Sequence, residues 1–345
     1  MTTALTTIDA LDAAGLATGL ATGAKREVLE QVVERFRLRI TPEMAGVASR
    51  GVAAQFVPDA RELVTRPEEL TDPIGDRRFS PAPGLTHRYA DRVILAVTQA
   101  CEVYCRFCFR RETVGAAGVL PEGEFQQALD YIARTPAIRE VILTGGDPLS
   151  LSPRRLESVL ARLEAVRHVD SLRIHSRVPV VAPGRMDGAM LAALDREKPV
   201  HLVIHTNHPD EMTPAAQAAL RALSRAGVAM FSQSVLLRGV NDDADVLEAL
   251  FRGLIRNRVK PYYLHHCDLA EGTSHFRTTI AEGRALMAEL KRRLSGLALP
   301  AYVLDIPGGA GKVGLMGAAA EEGPEGWVVT DRNGARHLYQ DPERG

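Results

Sequence analysis

The most constraining feature of this chain is a repeated alternation of short apolar runs with amphipathic stretches. Six runs rich in β-branched and aromatic residues lie at residues 92–99, 140–146, 171–178, 200–207, 229–237 and 259–266. The stretches between them carry apolar residues at helical spacing, as in EGEFQQALDYIART and TPAAQAALRALSRAG. Strands that alternate with helices predict parallel βαβ units with right-handed crossovers. The runs are continuously apolar, which favours a sheet that is covered on both faces.

Polar residues accumulate directly after these runs, and their positions distinguish a barrel from an open sheet. They are Thr98, Gln99, Gly145, Gly146, Asp147, His175, Arg177, His205, Asn207, Gln233, His265, His266 and Asp268. In a barrel the loops after all strands meet in one ring and carry the chemistry, whereas an open sheet concentrates such residues at its switch point. Because polar residues follow every run, we predict an α/β fold with a partial (β/α)6 barrel similar to a TIM barrel.

The sequence on either side of the barrel predicts two flanking regions. Residues 1–80 have the pattern of a helical region with a connector rich in Pro, Asp and Gly, and residues 81–300 form the predicted barrel. Residues 301–345 are predicted to be a short β extension. It starts with a seventh apolar run at 301–306, and its tail predicts a hairpin that turns at Asn333–Gly334.

The composition limits the classes of protein to which the chain can belong. It has 345 residues, of which 46% are hydrophobic and 25% charged, with a formal net charge of −1. This balance is ordinary for a globular protein and gives no indication of binding to nucleic acid or anionic membranes. No apolar run is long enough to cross a bilayer, and the N-terminus MTTALTTIDALDAAGLATG lacks the features of a secretory signal. We therefore expect a cytoplasmic protein, in which clustered thiols stay reduced and bind metals.

Three of the four cysteines fall within eight positions of the stretch CEVYCRFCFRR, directly after the first apolar run. Cys101, Cys105 and Cys108 have the spacing C-x3-C-x2-C, whereas Cys267 follows the sixth run. Thiolates bind soft metals, and a cluster of four irons held by only three cysteines keeps one iron open for another ligand. A structural zinc ion takes four protein ligands, so a zinc site completed by one of the ten histidines remains the alternative.

Two glycine-rich stretches are further candidates for ligand binding. TGGDP at 144–148 follows the second run, where glycines let the main chain approach a ligand; an ordinary turn capped by Asp147 is the alternative. DIPGGAGKVG at 305–314 is not a Walker A loop, since Val313 stands where that loop needs Ser or Thr to hold magnesium. The amine of Lys312 can form a Schiff base with pyridoxal phosphate (PLP), although the loop by itself favours a solvent-facing lysine.

The cysteine triplet and the TGGDP stretch together resemble the radical S-adenosylmethionine (SAM) superfamily. More specifically, seven stretches resemble the lysine 2,3-aminomutase family and occur in its order, over roughly residues 70–315. They are GLTHRYADRV, CRFCFRR, TGGDPL, HTNHP, QSVLLRGVND, YYLHHCDLAEGTSHFR and VLDIPGGAGK. The resemblance implies a radical SAM barrel and a PLP-dependent isomerase that is an intramolecular aminotransferase.

The resemblance also implies three cofactors and the residues that hold them. A [4Fe–4S] cluster would be bound by Cys101, Cys105 and Cys108. SAM would be contacted by Gly145, Gly146, Asp147, His205 and Gln233. PLP would be carried by Lys312, and its phosphate would be held by Arg88 and Arg92. Arginine suits a phosphate because its planar fork donates two hydrogen bonds at once, although solvated surface charge is the ordinary reading of two such arginines.

The same resemblance predicts how the substrate is bound. Arg110 would bind the α-carboxylate, and Asp268 and Asp305 would bind the side-chain ammonium of L-lysine, with β-lysine as the product. Two carboxylates that converge on one cation are electrostatically reasonable, because either would be costly to bury alone. Loop capping is the ordinary alternative for both aspartates.

Three other functions remain open at this point. A glutamate-specific member of the family is expected to have neutral or basic groups in place of the two aspartates. A member that makes β-lysine for the modification of elongation factor P would use the same chemistry. A non-catalytic iron–sulfur or zinc module would need none of the PLP-site residues. The catalytic readings all imply an electron donor, such as flavodoxin or ferredoxin, as a partner.

Two departures from the family pattern bear on assembly and on the pocket. No cysteine follows Cys267, so the C-terminal zinc that longer lysine aminomutases carry at a subunit interface is not expected, and homo-oligomerisation is left open. HHC at residues 265–267 stands where the family usually has YQC. This change would tune the pocket around the substrate ammonium.

Overall fold

A computed structural model describes residues 3–17, 22–47 and 49–342, and its centre is a nine-stranded sheet whose spatial order follows the chain. The strands of this sheet are β1 (Leu85–Tyr89), β2 (Arg92–Thr98), β3 (Glu140–Gly145), β4 (Ser171–Ser176), β5 (Val200–His205), β6 (Ala229–Leu236), β7 (Lys260–His266), β8 (Ala301–Ile306) and β9 (Gly311–Gly314). A second sheet contains β10 (Ala320–Gly323), β11 (Gly326–Thr330) and β12 (Arg336–Tyr339).

The helices lie before the main sheet and in the crossovers between its strands. They are α1 (Ile8–Ala13), α2 (Gly23–Arg35), α3 (Pro42–Ala45), α4 (Arg50–Ala53), α5 (Glu122–Arg134), α6 (Pro153–Glu164), α7 (Val178–Val181), α8 (Gly188–Leu194), α9 (Pro214–Arg225), α10 (Ala244–Arg256) and α11 (Ile280–Arg293). The first four precede the sheet, as the predicted helical region requires.

Strands β2 to β8 are parallel, and the antiparallel strands β1 and β9 form the two edges. The predicted barrel-like α/β fold and its six strands are therefore confirmed. The seventh apolar run joins the same sheet as β8, next to β7. Residues before and after position 300 contribute strands to this one sheet. The predicted domain boundary near residue 300 stays a prediction.

Alternate residues of the strands face the two sides of the curved sheet. Leu95 and Leu143 are fully buried in the hydrophobic core, whereas Ile94 and Ile142 line a cavity inside the barrel. Since successive side chains of a strand point to opposite faces, one set of residues forms the packing under the helices and the other set forms the inner wall.

The crossover helices begin where the sequence provides capping residues. Ser152 accepts a hydrogen bond from the first turn of α6, and Thr213 does the same for α9, with Pro153 and Pro214 at the first helical positions. Each helix then buries one apolar stripe against the sheet. In α6 this stripe consists of Leu156, Val159, Leu160 and Leu163.

The two edges of the sheet approach each other across the barrel. The Tyr89 hydroxyl of β1 accepts a hydrogen bond from the Lys312 backbone N–H of β9 at 2.9 Å. Arg332, in the turn between β11 and β12, donates to the Arg88 carbonyl at 3.2 Å. This turn includes Asn333–Gly334, so the predicted hairpin is confirmed. The C-terminal segment therefore helps to enclose the barrel interior.

In residues 3–17, 22–47 and 49–342, no helix is both long and apolar enough to cross a membrane. The cytoplasmic location stays a prediction.

Gly283 of α11 lies against the ring of Tyr302 in β8, and a Cβ atom at this position would collide with the ring and its hydroxyl. We expect Gly283→Ala to lower the free energy of unfolding by about 1–3 kcal/mol, because the helix must move off the strand. Denaturant unfolding measures this loss.

Gly253→Ala, in the interior of α10, is the matched control, because only a flexible arginine tip lies within 4 Å of the position that its methyl group would take. This variant should be as stable as the parent or more stable by up to about 1 kcal/mol, since alanine favours the helix. Equal effects of the two substitutions would contradict the packing described for α11.

Candidate active site

The barrel encloses a cavity of about 710 Å³ at the carboxyl ends of its parallel strands. Every residue that the sequence motifs nominate for a cofactor or the substrate lines this cavity. These residues are Arg88, Arg92, Cys101, Cys105, Cys108, Arg110, Gly145, Gly146, Asp147, His205, Gln233, Asp268, Asp305 and Lys312. The fold thus brings together residues from distant parts of the chain, and their individual roles remain predictions.

The cysteine triplet lies in the loop between β2 and α5. Burial raises the pKa of all three thiols, and it raises that of Cys108 to about 11. Cys105 Sγ accepts a hydrogen bond of 2.8 Å from Arg177, whose buried guanidinium also binds Glu211. Three buried thiolates need a metal to neutralise them, and this donor set is soft, as an iron–sulfur cluster requires.

The three thiols do not converge on a single point. In residues 3–17, 22–47 and 49–342, no group of three or more His, Cys, Asp or Glu side chains could hold one metal ion. A cluster of four irons needs no such convergence, because each cysteine binds a different iron.

A buried carboxylate from the N-terminal region anchors the cysteine loop. Glu62 is fully buried and accepts hydrogen bonds from Arg106 at 2.6 Å and from Arg111, which lie two residues before and three residues after Cys108. Arg106 also donates to the Phe36 carbonyl at 3.2 Å. Because this one carboxylate binds both guanidinium groups out of water, it holds the cysteine loop against the N-terminal region.

Gly145, the last residue of β3, and Gly146, which follows it, are required by the close approach of β2 and the start of the cysteine loop. Gly145 has a φ of +105°, and a Cβ atom there would lie 2.6 Å from the Ala96 Cβ. A Cβ atom on Gly146 would collide with the Ala100 carbonyl, directly before Cys101. Only glycine therefore allows the two loops to pack together at the cavity.

Asp147 is occupied by protein donors. Its carboxylate accepts hydrogen bonds from the Ser176 hydroxyl at 2.7 Å and from the backbone N–H groups of Arg177 at 2.7 Å and Leu149 at 3.0 Å. The structure thus places Asp147 as a cap between loops, and the predicted SAM contact of this residue stays a prediction.

His205 and Gln233 are register partners on the neighbouring strands β5 and β6. Burial lowers the pKa of His205 well below its usual value, so its ring is neutral. The ring packs against Phe107 of the cysteine loop, with 5.6 Å between centroids. Both residues thus lie on the inner wall beside the triplet, and their predicted SAM contacts stay predictions.

Lys312 and Asp305 face each other across the antiparallel pair β8–β9. The Lys312 ammonium forms an ion pair with Asp305 Oδ2, and His265 Nδ1 lies 3.2 Å from the same oxygen. Burial opposes ionisation of Asp305, but the Lys312 cation and His265 outweigh burial and hold its pKa well below the usual range. Lys312 also lies 5.3 Å above the Tyr263 ring.

The pKa of Asp268 is shifted in the opposite direction to that of Asp305. Burial, together with the nearby charge of Asp305, raises its pKa from an ordinary 3.8 to about 8. One carboxyl of the pair is thus held ionised by Lys312, whereas the other keeps a proton at neutral pH. A second cation in the cavity would favour ionisation of both.

Two of the nominated arginines share one carboxylate. Asp76 accepts hydrogen bonds from Arg88 at 2.9 Å and from Arg110 at 3.0 and 2.7 Å. Arg92 differs, since its guanidinium lies 4.0 Å from the Tyr89 ring centroid and pairs with the exposed Asp91 at 2.8 Å.

Comparisons with known proteins decide the family. The model of the Radical SAM superfamily matches residues 95–250. The L-lysine 2,3-aminomutase of Fusobacterium nucleatum is 39% identical over 324 residues, which cover 92% of this chain and 76% of the relative. That of Clostridium subterminale is 41% identical over 298 residues, covering 85% and 72%.

The chain belongs to the lysine 2,3-aminomutase family of radical SAM enzymes. A glutamate 2,3-aminomutase of Clostridioides difficile is also similar, with 35% identity over 298 residues that cover 85% of this chain and 70% of the relative. Membership of the lysine 2,3-aminomutase family makes the protein an isomerase with a [4Fe–4S] cluster, SAM and PLP as cofactors. The soft thiol triplet, the glycine-lined approach beside it and the partly buried Lys312 that lines the cavity fit these three groups.

Sequence reasoning assigned no role to several residues of this aminomutase site. Glu62, Asp76 and Arg177 hold the cysteine loop or the nominated arginines. His175 also lines the cavity, near Arg110, His265 and Lys312. Position after a strand placed His175 and Arg177 among the polar residues of the predicted ring of loops, but no motif gave them a role, and no motif signals Glu62 or Asp76.

The raised pKa of Asp268 predicts a pH dependence of stability. Between pH 4 and pH 8 the native protein keeps a proton on Asp268 that the unfolded chain releases, so this residue lowers stability as the pH rises. We expect the free energy of unfolding of Asp268→Asn, relative to that of the parent, to be higher at pH 8 than at pH 5 by about 2–3 kcal/mol. Denaturant unfolding of protein without PLP or lysine, at both pH values, measures the difference.

Asp245→Asn, at a side chain that is 84% exposed, controls for the loss of one charge. A stability difference between Asp268→Asn and the parent that is the same at pH 5 and pH 8 would contradict the assignment of a proton to Asp268.

Proposed function

We propose that this enzyme is an L-lysine 2,3-aminomutase, which moves the α-amino group of L-lysine to the β-carbon and gives β-lysine. The observation that carries the proposal is the pair of partly buried carboxylates, Asp268 and Asp305, in the same cavity as Arg110. A lysine substrate offers one carboxylate and one side-chain ammonium to these groups. Its two ends therefore complement the charges of the cavity.

The Lys312 ammonium supports the choice of a cationic side chain. It is a primary ammonium bound to Asp305, and it therefore stands in chemically for the side-chain ammonium of a lysine substrate. If Lys312 holds PLP, it would no longer offer a free ammonium group to Asp305. The two aspartates then need another cation, and the substrate ammonium can supply it.

Other residues of the cavity are assigned to the cofactors. Cys101, Cys105 and Cys108 would hold the cluster, which with SAM supplies the radical that removes hydrogen from the substrate. Lys312 would hold PLP, with Arg88 and Arg92 at its phosphate; PLP supplies the route by which nitrogen migrates.

A glutamate substrate is the second candidate because of the 35% identical relative. The aspartate pair argues against it, since a side-chain carboxylate would add a negative charge beside the ionised Asp305 and would offer no cation to Asp268. An electron donor such as flavodoxin or ferredoxin stays a prediction of the family resemblance. The resemblance leaves open the oligomeric state and the fate of β-lysine, including its use on elongation factor P.

The test is an anaerobic assay of the reconstituted enzyme with SAM, a reductant and L-lysine, which detects β-lysine by mass spectrometry. The parent should form β-lysine, and Lys312→Ala should lose both this activity and the absorbance band of enzyme-bound PLP. Lys291→Ala, at an exposed position near the end of α11, is the matched control and should keep both.

Turnover of L-glutamate without turnover of L-lysine would contradict the assignment of lysine as the substrate. Retention of the PLP absorbance band in Lys312→Ala would contradict the assignment of Lys312 as the residue that binds PLP.

The aspartate pair predicts a specific change in substrate binding. Asp305→Asn should raise KM for L-lysine about 10- to 100-fold, because charge-assisted hydrogen bonds are worth about 1.5–3 kcal/mol. The iron content should stay unchanged, since Asp305 lies away from the triplet in sequence and on a different strand. Steady-state kinetics and iron analysis measure the two effects, with Asp245→Asn as the control. An unchanged KM would count against an ammonium site at Asp305.

A further inference from the structure

Asp76 is placed between two arginines to which the proposed function gives different ligands. Its Oδ1 accepts from Arg88 Nη2 at 2.9 Å, and its Oδ2 accepts from Arg110 Nε at 3.0 Å and Nη2 at 2.7 Å. The side chains are only 20%, 8% and 18% exposed for Asp76, Arg88 and Arg110. One partly buried carboxylate thus fixes both guanidinium planes.

Asp76 is itself held by a compact turn, residues 72–79, which we call the strap. Asp72 accepts hydrogen bonds from the backbone N–H groups of Asp76 at 2.9 Å and Arg77 at 3.0 Å. Arg88 donates to the Ile74 carbonyl at 2.5 Å and lies over the Phe79 ring, 5.5 Å from its centroid. The strap therefore presents Asp76 in one orientation.

The strap also packs directly on the loop that leads to Lys312. The Gly308 N–H donates to the Pro73 carbonyl at 3.0 Å. A Cβ atom on Gly75 would lie 2.6 Å from the Gly308 carbonyl oxygen, and one on Gly309 would lie 2.6 Å from the Phe79 ring. Glycines are thus needed on both sides of this contact, which connects the strap to the predicted PLP lysine.

Each arginine keeps donors that Asp76 does not use. In the part of the chain that the structure describes, Arg88 Nε is buried without a hydrogen-bond partner, and no hydrogen bond uses Nη1 of Arg110. A guanidinium has five donors in a fixed fork, so one edge can bind Asp76 while another binds a ligand.

We propose that Asp76 is a positioning residue that links the cofactor-phosphate site at Arg88 to the substrate-carboxylate site at Arg110. The proposal rests on the proposed function, which supplies the two ligands. Asp76 acts through the arginines and touches neither ligand. Its contribution is to hold two mutually repelling cations in a fixed arrangement before phosphate and carboxylate arrive.

Two effects of the Asp76 charge oppose each other. Its negative charge repels the anionic ligands, but its hydrogen bonds fix the forks that bind them. Because ligand affinity depends on bidentate geometry at each arginine, we expect the loss of fixation to prevail. Removal of the charge should therefore weaken both ligands together.

The experiment measures PLP binding and substrate binding separately in Asp76→Asn. PLP is titrated into PLP-free protein that contains the cluster, and the bound cofactor is followed by absorbance; KM and kcat for L-lysine are measured anaerobically. We expect about tenfold weaker PLP binding and about tenfold higher KM, with iron content and thermal midpoint close to the parent. Arg88→Lys should mainly weaken PLP binding, and Arg110→Lys should mainly raise KM.

Asp170→Asn is the matched control, since it removes a carboxylate that binds Arg139 through two hydrogen bonds of 2.8 and 2.9 Å at the surface, outside the cavity. It should change neither PLP binding nor KM. Asp76→Glu restores the charge and should recover part of both losses.

PLP affinity and KM within twofold of the parent in Asp76→Asn, or tighter binding of either ligand, would overturn the proposal. The proposal would also be overturned if weaker PLP binding and a higher KM accompany a lower thermal midpoint and are equally large in Asp76→Glu. This result would indicate a purely structural role of Asp76. If the parent binds PLP but does not turn over L-lysine, the substrate assignment fails, whereas the PLP titration still decides the role of Asp76. A parent that binds no PLP would overturn both.

Discussion

Charged side chains buried around the cavity must be paired, and these pairs connect the segments that build it. Glu62 ties the N-terminal region to the cysteine loop through Arg106 and Arg111. Arg177, after β4, joins Cys105 to the Glu211 carboxylate that follows β5. Removal of one partner would leave an uncompensated charge out of water, at a cost of about 3–5 kcal/mol. The cysteine loop is therefore fixed by long-range charge pairs as well as by packing.

The same requirement explains the chemistry at the other end of the cavity. Two aspartates and one lysine lie close together there, and the lysine pairs with Asp305. An ionised Asp268 would have no cation as a partner, so this carboxyl group keeps its proton. Such a site favours binding of a cation, because the positive charge lowers the pKa of Asp268. The carboxyl group then loses its proton and pairs with the cation. Electrostatic pairing and recognition of a lysine ammonium thus depend on the same residues.

Much of this architecture could be predicted from the sequence. The six apolar runs correspond to β2 to β7 with boundaries that differ by one or two residues, and the hairpin near Asn333 forms as its turn residues indicate. The motif residues line one cavity because parallel strands bring their carboxyl ends to one side of a barrel. The pairing of the seventh run with β7 could not be predicted, since a single apolar stretch does not reveal which strand it will pair with.

The anchoring residues could not be predicted in this way. Asp76 belongs to a connector without periodicity, and its partner Arg110 lies 34 positions further along the chain. Glu62 is 44 positions from Arg106, and an exposed carboxylate would have the same local sequence. Burial and pairing of such groups depend on contacts between distant segments, which leave no local pattern.

By itself, the sequence determined the order of strands and helices, the spacing of three thiols on one loop and the glycines where loops must approach. These are local properties, since they follow from side-chain periodicity, ligand spacing and backbone freedom. Only the tertiary structure decided the charge states in the pocket. Asp268 and Asp305 are the same residue type, yet their pKa values shift in opposite directions, because the pairing of β8 with β9 sets Lys312 against Asp305.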